Sequence, residues 1–357
     1  MYRNLNTGVV EIEGQLTHAE ANEIADMPSI HTLQFTAALQ GQSFQHIDTI
    51  VLPACPNMCI RAYHFYGQVC DLAFVSQLPT LRRLEVMCEG EFANLEQIAT
   101  LGQLQELRLR LYKLDHFDLL QQLTPALISL TLGKTASKKP SLAGISRFTK
   151  LQELTIEGHA KQIDELARLV HLQKLRLHHM TLPKLDFLLT LPKLLSLQLH
   201  WGGTNRLDTL AELKQLKYID LAQIRGITEL DFISAMTGLQ YIRIGAMPHV
   251  HELPALHQLH QLRKIELYNM KGLRQLDSLQ TAPVLTEFVQ REAWEMEADY
   301  YIPLLQNPAL QRAYVHLRNE NKMRRFQHLL EHYGKQNAAT EQAANRESWL
   351  GTAFPFE

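Results

Sequence analysis

The stretch LQKLRLHHMTLPKLDFLLTL, residues 172–191, decides how the whole chain is read. It opens on Leu172, Leu175 and Leu177. The same triplet returns at Leu194, Leu197 and Leu199, at Leu216, Ile219 and Leu221, at Leu239, Ile242 and Ile244, and at Leu262, Ile265 and Leu267, each 22 or 23 residues after the last. Upstream it runs through Leu81, Leu84 and Val86, Leu104, Leu107 and Leu109, Leu127, Leu130 and Leu132, and Leu151, Leu154 and Ile156. A fixed period of this length marks a stack of small units, none able to bury its apolar side alone.

The end of each triplet alternates with period two, which predicts a short strand with one buried face. Leu175 and Leu177 then point inward, and Lys174, Arg176 and His178 point outward. A second apolar set precedes each new triplet at intervals of three, as in Leu185, Leu188 and Leu191 or Leu207, Leu210 and Leu213. That spacing suits a tight 3₁₀ return, whose i and i+3 side chains eclipse.

On these residues the array resembles the leucine-rich repeat superfamily in its short, 22-residue form. The unit at 172–191 matches that pattern at Leu172, Leu175, Leu177, Leu182, Leu185, Leu188 and Leu191. The resemblance implies an α/β solenoid, a curved array with a parallel sheet on its concave side and short helical or 3₁₀ returns on the convex side. The family usually sets Asn or Cys three residues past the third apolar position, to bond neighbouring turns. Here those places hold Glu89, Tyr112, Thr135, His159, Met180, Gly202, Ile224, Met247 and Met270, so the ladder is expected to be absent and the turn to be either looser or packed through apolar contacts. The family also includes bacterial effectors with an appended ubiquitin-ligase domain, but residues 291–357 contain no cysteine to act as its nucleophile.

The expected organisation is a cap with degenerate repeats over 1–68, the array over 69–290, a last repeat and capping helix over 291–335, and a tail over 336–357. Thr17-His-Ala-Glu20 reads as a capping box opening a short helix. Ile30, Leu33 and Phe35, then Ile47, Ile50 and Leu52, then Ile60, Tyr63 and Phe65 read as degenerate strands. Residues 134–140 read as a polar bulge. Met323, Phe326, Leu329 and Leu330 give the last helix its apolar side, and Gly334 ends it. Trp349, Phe354 and Phe356 in the tail either fold back onto the array or serve as a linear motif.

The chain carries 35 basic and 37 acidic residues and is 46% hydrophobic. That balance excludes a disordered chain and argues against a general nucleic-acid or anionic-membrane binder. Met1 to Glu13 holds no apolar leader, and no stretch reaches the ~20 apolar residues of a membrane span, so a cytoplasmic protein with free thiols is expected, with signal-less export left open.

No phosphate-binding glycine loop and no G-x-S-x-G elbow is present. His251-Glu252 fails as a zinc-protease motif because the next histidine, His257, is six residues on and Pro254 intervenes. Cys55, Cys59, His64 and Cys70 lack the close C-x₂-C spacing of structural zinc sites, and buried free thiols are the simpler reading. His178 and His200, with Glu157 in the same outward column, form a conceivable metal trio. Side chains in such a column stand ~4.8 Å apart and do not converge. No metal and no cofactor is therefore expected, nor an enzyme.

The outward positions of the nine units hold seven basic residues (Arg83, Arg108, Arg110, Lys174, Arg176, Arg243, Lys264) and six acidic ones (Glu85, Glu106, Glu153, Glu157, Asp220, Glu266). Such a mixture suits a protein partner better than a polyanion. The residue types that anchor protein interfaces gather in the later units. The expected partner-binding set is Arg176, His178, Gln198, His200, Trp201, Tyr218, Asp220, Tyr241, Arg243 and Tyr268, with Ala222 and Gly245 leaving a pocket beside them. This reading makes the chain a non-enzymatic interaction scaffold for a protein or peptide. An inhibitor or immunity-type protein aimed at one enzyme, and an exported effector, are the alternatives. It expects Trp201, Tyr218 and Tyr241 to be removable without unfolding the chain.

Overall fold

The computed structural model describes residues 1–338 apart from Asn6, Thr7, Tyr66 and Asn205. The aromatic tail lies outside the described residues. The chain divides into two compact units, Met1–Gln173 and Lys174–Glu357.

The first unit strings its strands side by side in chain order: β1 (Tyr2–Asn4), β2 (Val9–Ile12), β3 (Thr32–Phe35), β4 (Cys59–Tyr63), β5 (Arg83–Cys88), β6 (Glu106–Leu111), β7 (Ser129–Leu132) and β8 (Glu153–Glu157). All neighbours pair in parallel except β1 and β2, which form an antiparallel edge. The second unit continues the pattern with β9 (Lys174–His178), β10 (Ser196–His200), β11 (Tyr218–Ala222), β12 (Tyr241–Gly245), β13 (Lys264–Tyr268), β14 (Glu287–Arg291), β15 (Arg312–Val315) and β16 (Gln336–Asn337), again parallel throughout. Each unit is thus an α/β solenoid segment of strand and return.

The inward positions of the triplets are buried as predicted. Leu175, Leu197, Ile219, Ile242 and Ile265 are buried, as are Leu177, Leu199, Leu221, Ile244 and Leu267. Facing them from the other layer are the 3₁₀ returns Asp186–Thr190, Asp208–Glu212, Asp231–Ala235 and Asp277–Thr281, which bury Leu188, Leu210, Ile233 and Leu279. Each begins with an aspartate, whose charge suits the exposed N–H groups of a first turn.

The ends are closed by helices. Thr17 caps α1 (His18–Ala25), and the reciprocal bond from Glu20 completes the capping box. α2 (Glu320–His332) is capped by the Asn319 side chain, buries Phe326, Leu329 and Leu330, and gives way to Gly334 at φ 65°. One expected strand is absent: Ile47, Ile50 and Leu52 lie in a helical run over 43–54. The buried residues there, Phe44, Ile47 and Val51, are spaced by three and four, which is a helical period. That run is the return between β3 and β4.

The 134–140 segment is anchored. The Ala136 N–H donates to the Tyr112 carbonyl at 2.7 Å, and Thr135 is buried with its hydroxyl donating to the Ser137 carbonyl.

Candidate functional site

Parallel register places the outward residues of the second unit in three columns. Arg176, Gln198, Asp220, Arg243 and Glu266 are aligned partner to partner, with Lys174, Ser196, Tyr218, Tyr241 and Lys264 on one side and His178, His200, Ala222, Gly245 and Tyr268 on the other. The sequence-predicted residues therefore share one face, and Trp201 stands just past the end of β10.

The face is more enclosed than an open polar sheet. Gln198, Tyr218, Asp220 and Tyr241 are all buried, while Arg176, His178, His200, Arg243 and Tyr268 are half-buried. Asp220 is the hub. Its carboxylate lies 2.9 Å from His200 Nε2, accepts from an Arg243 guanidinium nitrogen at 3.0 Å, and accepts from the Tyr218 hydroxyl at 3.2 Å. Burial acts against its ionised form, but the adjacent His200 ring and the Arg243 charge outweigh burial and hold its pKa below the ordinary carboxylate value. Arg243 also faces Glu266 at 3.6 Å and lies 4.5 Å over the Tyr268 ring. The Tyr241 hydroxyl donates to Glu266 at 2.7 Å, and its pKa is raised, first by burial and then by that carboxylate.

The pocket expected beside Ala222 and Gly245 is not open at Gly245. The Tyr268 ring covers that glycine so closely that a Cβ would meet its Cε1 at 1.9 Å. Glycine is required there because an aromatic ring occupies the space of a side chain.

His178 and His200 do not aim at a common point. Their rings stack in parallel, 4° apart with centroids 4.8 Å apart. Burial, reinforced by His200, pushes the His178 pKa down to about 4. Among the described residues no group of three or more His, Cys, Asp or Glu is placed to hold a metal. Burial also pushes the Cys59 and Cys70 thiols up to about 12, which keeps them protonated and poorly nucleophilic.

A second feature lies at the edge of this face. Each strand from β9 to β14 is followed by a non-glycine residue in the left-handed region: His179, Trp201, Gln223, Ala246, Asn269 and Glu292, with φ between 49° and 57°. The first five of these, His179 to Asn269, border a cleft of about 760 Å³, whose other walls include Ile224, Arg225, Ile227, Pro248, His249 and Lys271. Trp201 is 44% exposed and its ring stacks on His179 at 4.7 Å and 6°.

No family profile and no curated protein matches this chain. Solved structures do. An internalin (inlF) from Listeria monocytogenes str. 4b F2365 is similar over 85% of this chain and 90% of its own, at 18% identity and a TM-score of 0.50. The functional domain of InlJ from Listeria monocytogenes, described as including a cysteine ladder, is similar over 84% of this chain and 66% of its own, at 16% identity and a TM-score of 0.48. What is shared is the fold, a solenoid of parallel strands and short 3₁₀ returns of the leucine-rich repeat type.

The departure at the turn position has a structural substitute. Met180, Ile224, Met247 and Met270 are buried and fill the turns with apolar contact. His159, in the first unit, keeps a polar version: its ring is buried, lies edge-on to Phe117, and its Nε2 is 3.1 Å from the Gly133 carbonyl.

The cleft residues other than Trp201 were not among the sequence-predicted set. The signal was positional. Each bordering residue sits two places after the third apolar residue of its triplet, so reading that column would have found His179, Gln223, Ala246 and Asn269 beside Trp201.

Proposed function

We propose that this chain is a non-enzymatic leucine-rich repeat scaffold that grips a protein or peptide partner on the outward sheet face of its second unit and the edge beside it. The observation that carries this reading is the register-aligned set of arginine, histidine, tyrosine and tryptophan around Asp220, with Trp201 standing exposed at its rim. Arginine and large aromatics supply most of the binding energy in protein interfaces, and a preorganised set loses little entropy on binding. The near-neutral charge balance, −2 overall, supports a protein partner rather than nucleic acid or a membrane surface. No helix among the described residues is long and apolar enough to cross a membrane. In this reading residues 69–290 are the binding array, 1–68 and 291–335 close its ends, and no cofactor takes part.

The test is site-specific photo-crosslinking in a lysate of the source cells. A benzophenone amino acid replaces Arg176 or Trp201 on the proposed face, and Leu189, an exposed residue of a return, serves as the control. Crosslinks to a discrete partner from 176 and 201 but not from 189 are expected. Crosslinks confined to 189, or none from the face, overturn the reading. A single stoichiometric enzyme among the products would identify the scaffold as an inhibitor.

A further inference from the structure

Charges on the sheet face of the second unit are largely satisfied from within. Arg243 is held by Asp220 and Glu266, Lys264 and Arg312 by Glu287, and Arg291 by Glu266. The cleft past the strand ends differs. Arg225 and Lys271 stand exposed on its walls, and no aspartate or glutamate lines it. Among the described residues neither cation is in ion-pair contact with a carboxylate. Charge complementarity is therefore unmet at this edge and already met on the sheet.

The floor of the cleft has a different chemistry. Ile224 and Ile227 are buried there, and the Trp201–His179 stack forms an aromatic wall. Trp201 holds φ at 51°, a conformation strained for a bulky L-residue, while remaining 44% exposed. Its indole offers a large, nearly rigid contact surface to an incoming apolar group. At about 760 Å³ the cleft is of the size that takes a few residues of extended chain.

We infer that the cleft bordered by His179, Trp201, Arg225 and Lys271 receives a short acidic peptide segment, its carboxylates meeting the two cations and one apolar side chain packing against Trp201. This rests on the scaffold reading and names the partner's chemistry. A peptide fits better than nucleic acid, because a phosphate track needs a run of cations and the cleft has two permanent ones above an apolar floor.

The experiment uses the full chain, immobilised, against a displayed library of random twelve-residue peptides, followed by fluorescence titration of the enriched peptides. Enrichment of sequences with at least two acidic residues and one aromatic or aliphatic residue is expected. Their affinity should fall tenfold or more in Arg225→Glu/Lys271→Glu and in Trp201→Ala. It should stay within twofold in Arg324→Glu, an exposed control on α2 that reverses one charge where the cleft variant reverses two. No acidic enrichment, equal binding by the cleft variant, or tighter binding of a single-stranded oligonucleotide than of the peptides overturns the inference. If the cleft variant still yields the face-specific crosslinks of the scaffold test, the scaffold reading stands and the cleft assignment alone falls.

Discussion

Tyr218 and Tyr241 pack against each other with ring centroids 4.9 Å apart, and both hydroxyls donate to buried or half-buried carboxylates. Their position on the outward face is what period two predicts, but facing outward is not the same as being exposed. Neighbouring long side chains lean over them, so these tyrosines are structural as well as displayed. Tyr241→Ala is expected to lower unfolding stability by about 3 kcal/mol, the usual cost of emptying a buried aromatic site, with Tyr218→Ala close behind. Trp201→Ala should stay within about 1 kcal/mol, as expected of a half-exposed side chain. Urea titration of the three variants separates these outcomes. Asp220→Ala should also cost about 3 kcal/mol, because it strands the buried ends of Arg243 and His200. Asp220→Asn should lose less by keeping one acceptor for the Tyr218 hydroxyl.

At the scale of the repeat, the strand and return were legible because each is a periodic apolar signal. Leu175 and Leu177 declare a strand, and Leu185, Leu188 and Leu191 declare a 3₁₀ return. The turn between them was not legible. Its left-handed residues share no side-chain type, and a backbone handedness carried by His179, Trp201, Gln223 and Asn269 leaves no compositional trace. The misread of Ile47, Ile50 and Leu52 has the opposite cause: isoleucines three apart satisfy a strand triplet and a helix equally, and only the burial of Phe44 and Val51 separates the two. Two measurements probe the element itself. Glu292 is exposed at φ 54°, so Glu292→Gly should be neutral or stabilising by about 0.5 kcal/mol, relief of left-handed strain slightly exceeding the entropy of the added glycine. Met247→Ala, which empties an apolar turn, should cost about 2 kcal/mol by thermal or urea unfolding.

At the scale of the molecule, each compact unit holds a histidine whose pKa is lowered chiefly by burial: the buried His159 in the first, and the half-buried His178 in the second, to about 4. The unfolded chain takes up these protons near the ordinary histidine value of about 6.5, whereas the folded chain resists them. The stability they allow is therefore complete above pH 6.5 and is lost as pH falls from there toward 4. Asp220 has a lowered carboxylate pKa, so its share is lost only at still lower pH, as the folded state takes up its proton. Urea midpoints at pH 7.5 and pH 5 should show the first loss, and His178→Gln should flatten it. A midpoint unchanged between those two values would contradict the burial of both rings. Fold class was the most legible level, since it follows from a repeat in the apolar residues; partner chemistry was the least, since it depends on which charges find counter-charges in three dimensions.

The residue that turns the chain out of each strand answers to none of the demands of the interior. It is His, Trp, Gln, Ala, Asn or Glu in successive repeats of the second unit, yet the backbone there barely changes. Exchanging one of these letters alters what the rim offers to a visitor while the aliphatic layers beneath stay as they are. Under the proposed function, recognition and folding are thus written on separate rungs, and a lineage or an engineer can revise one of them without disturbing the other.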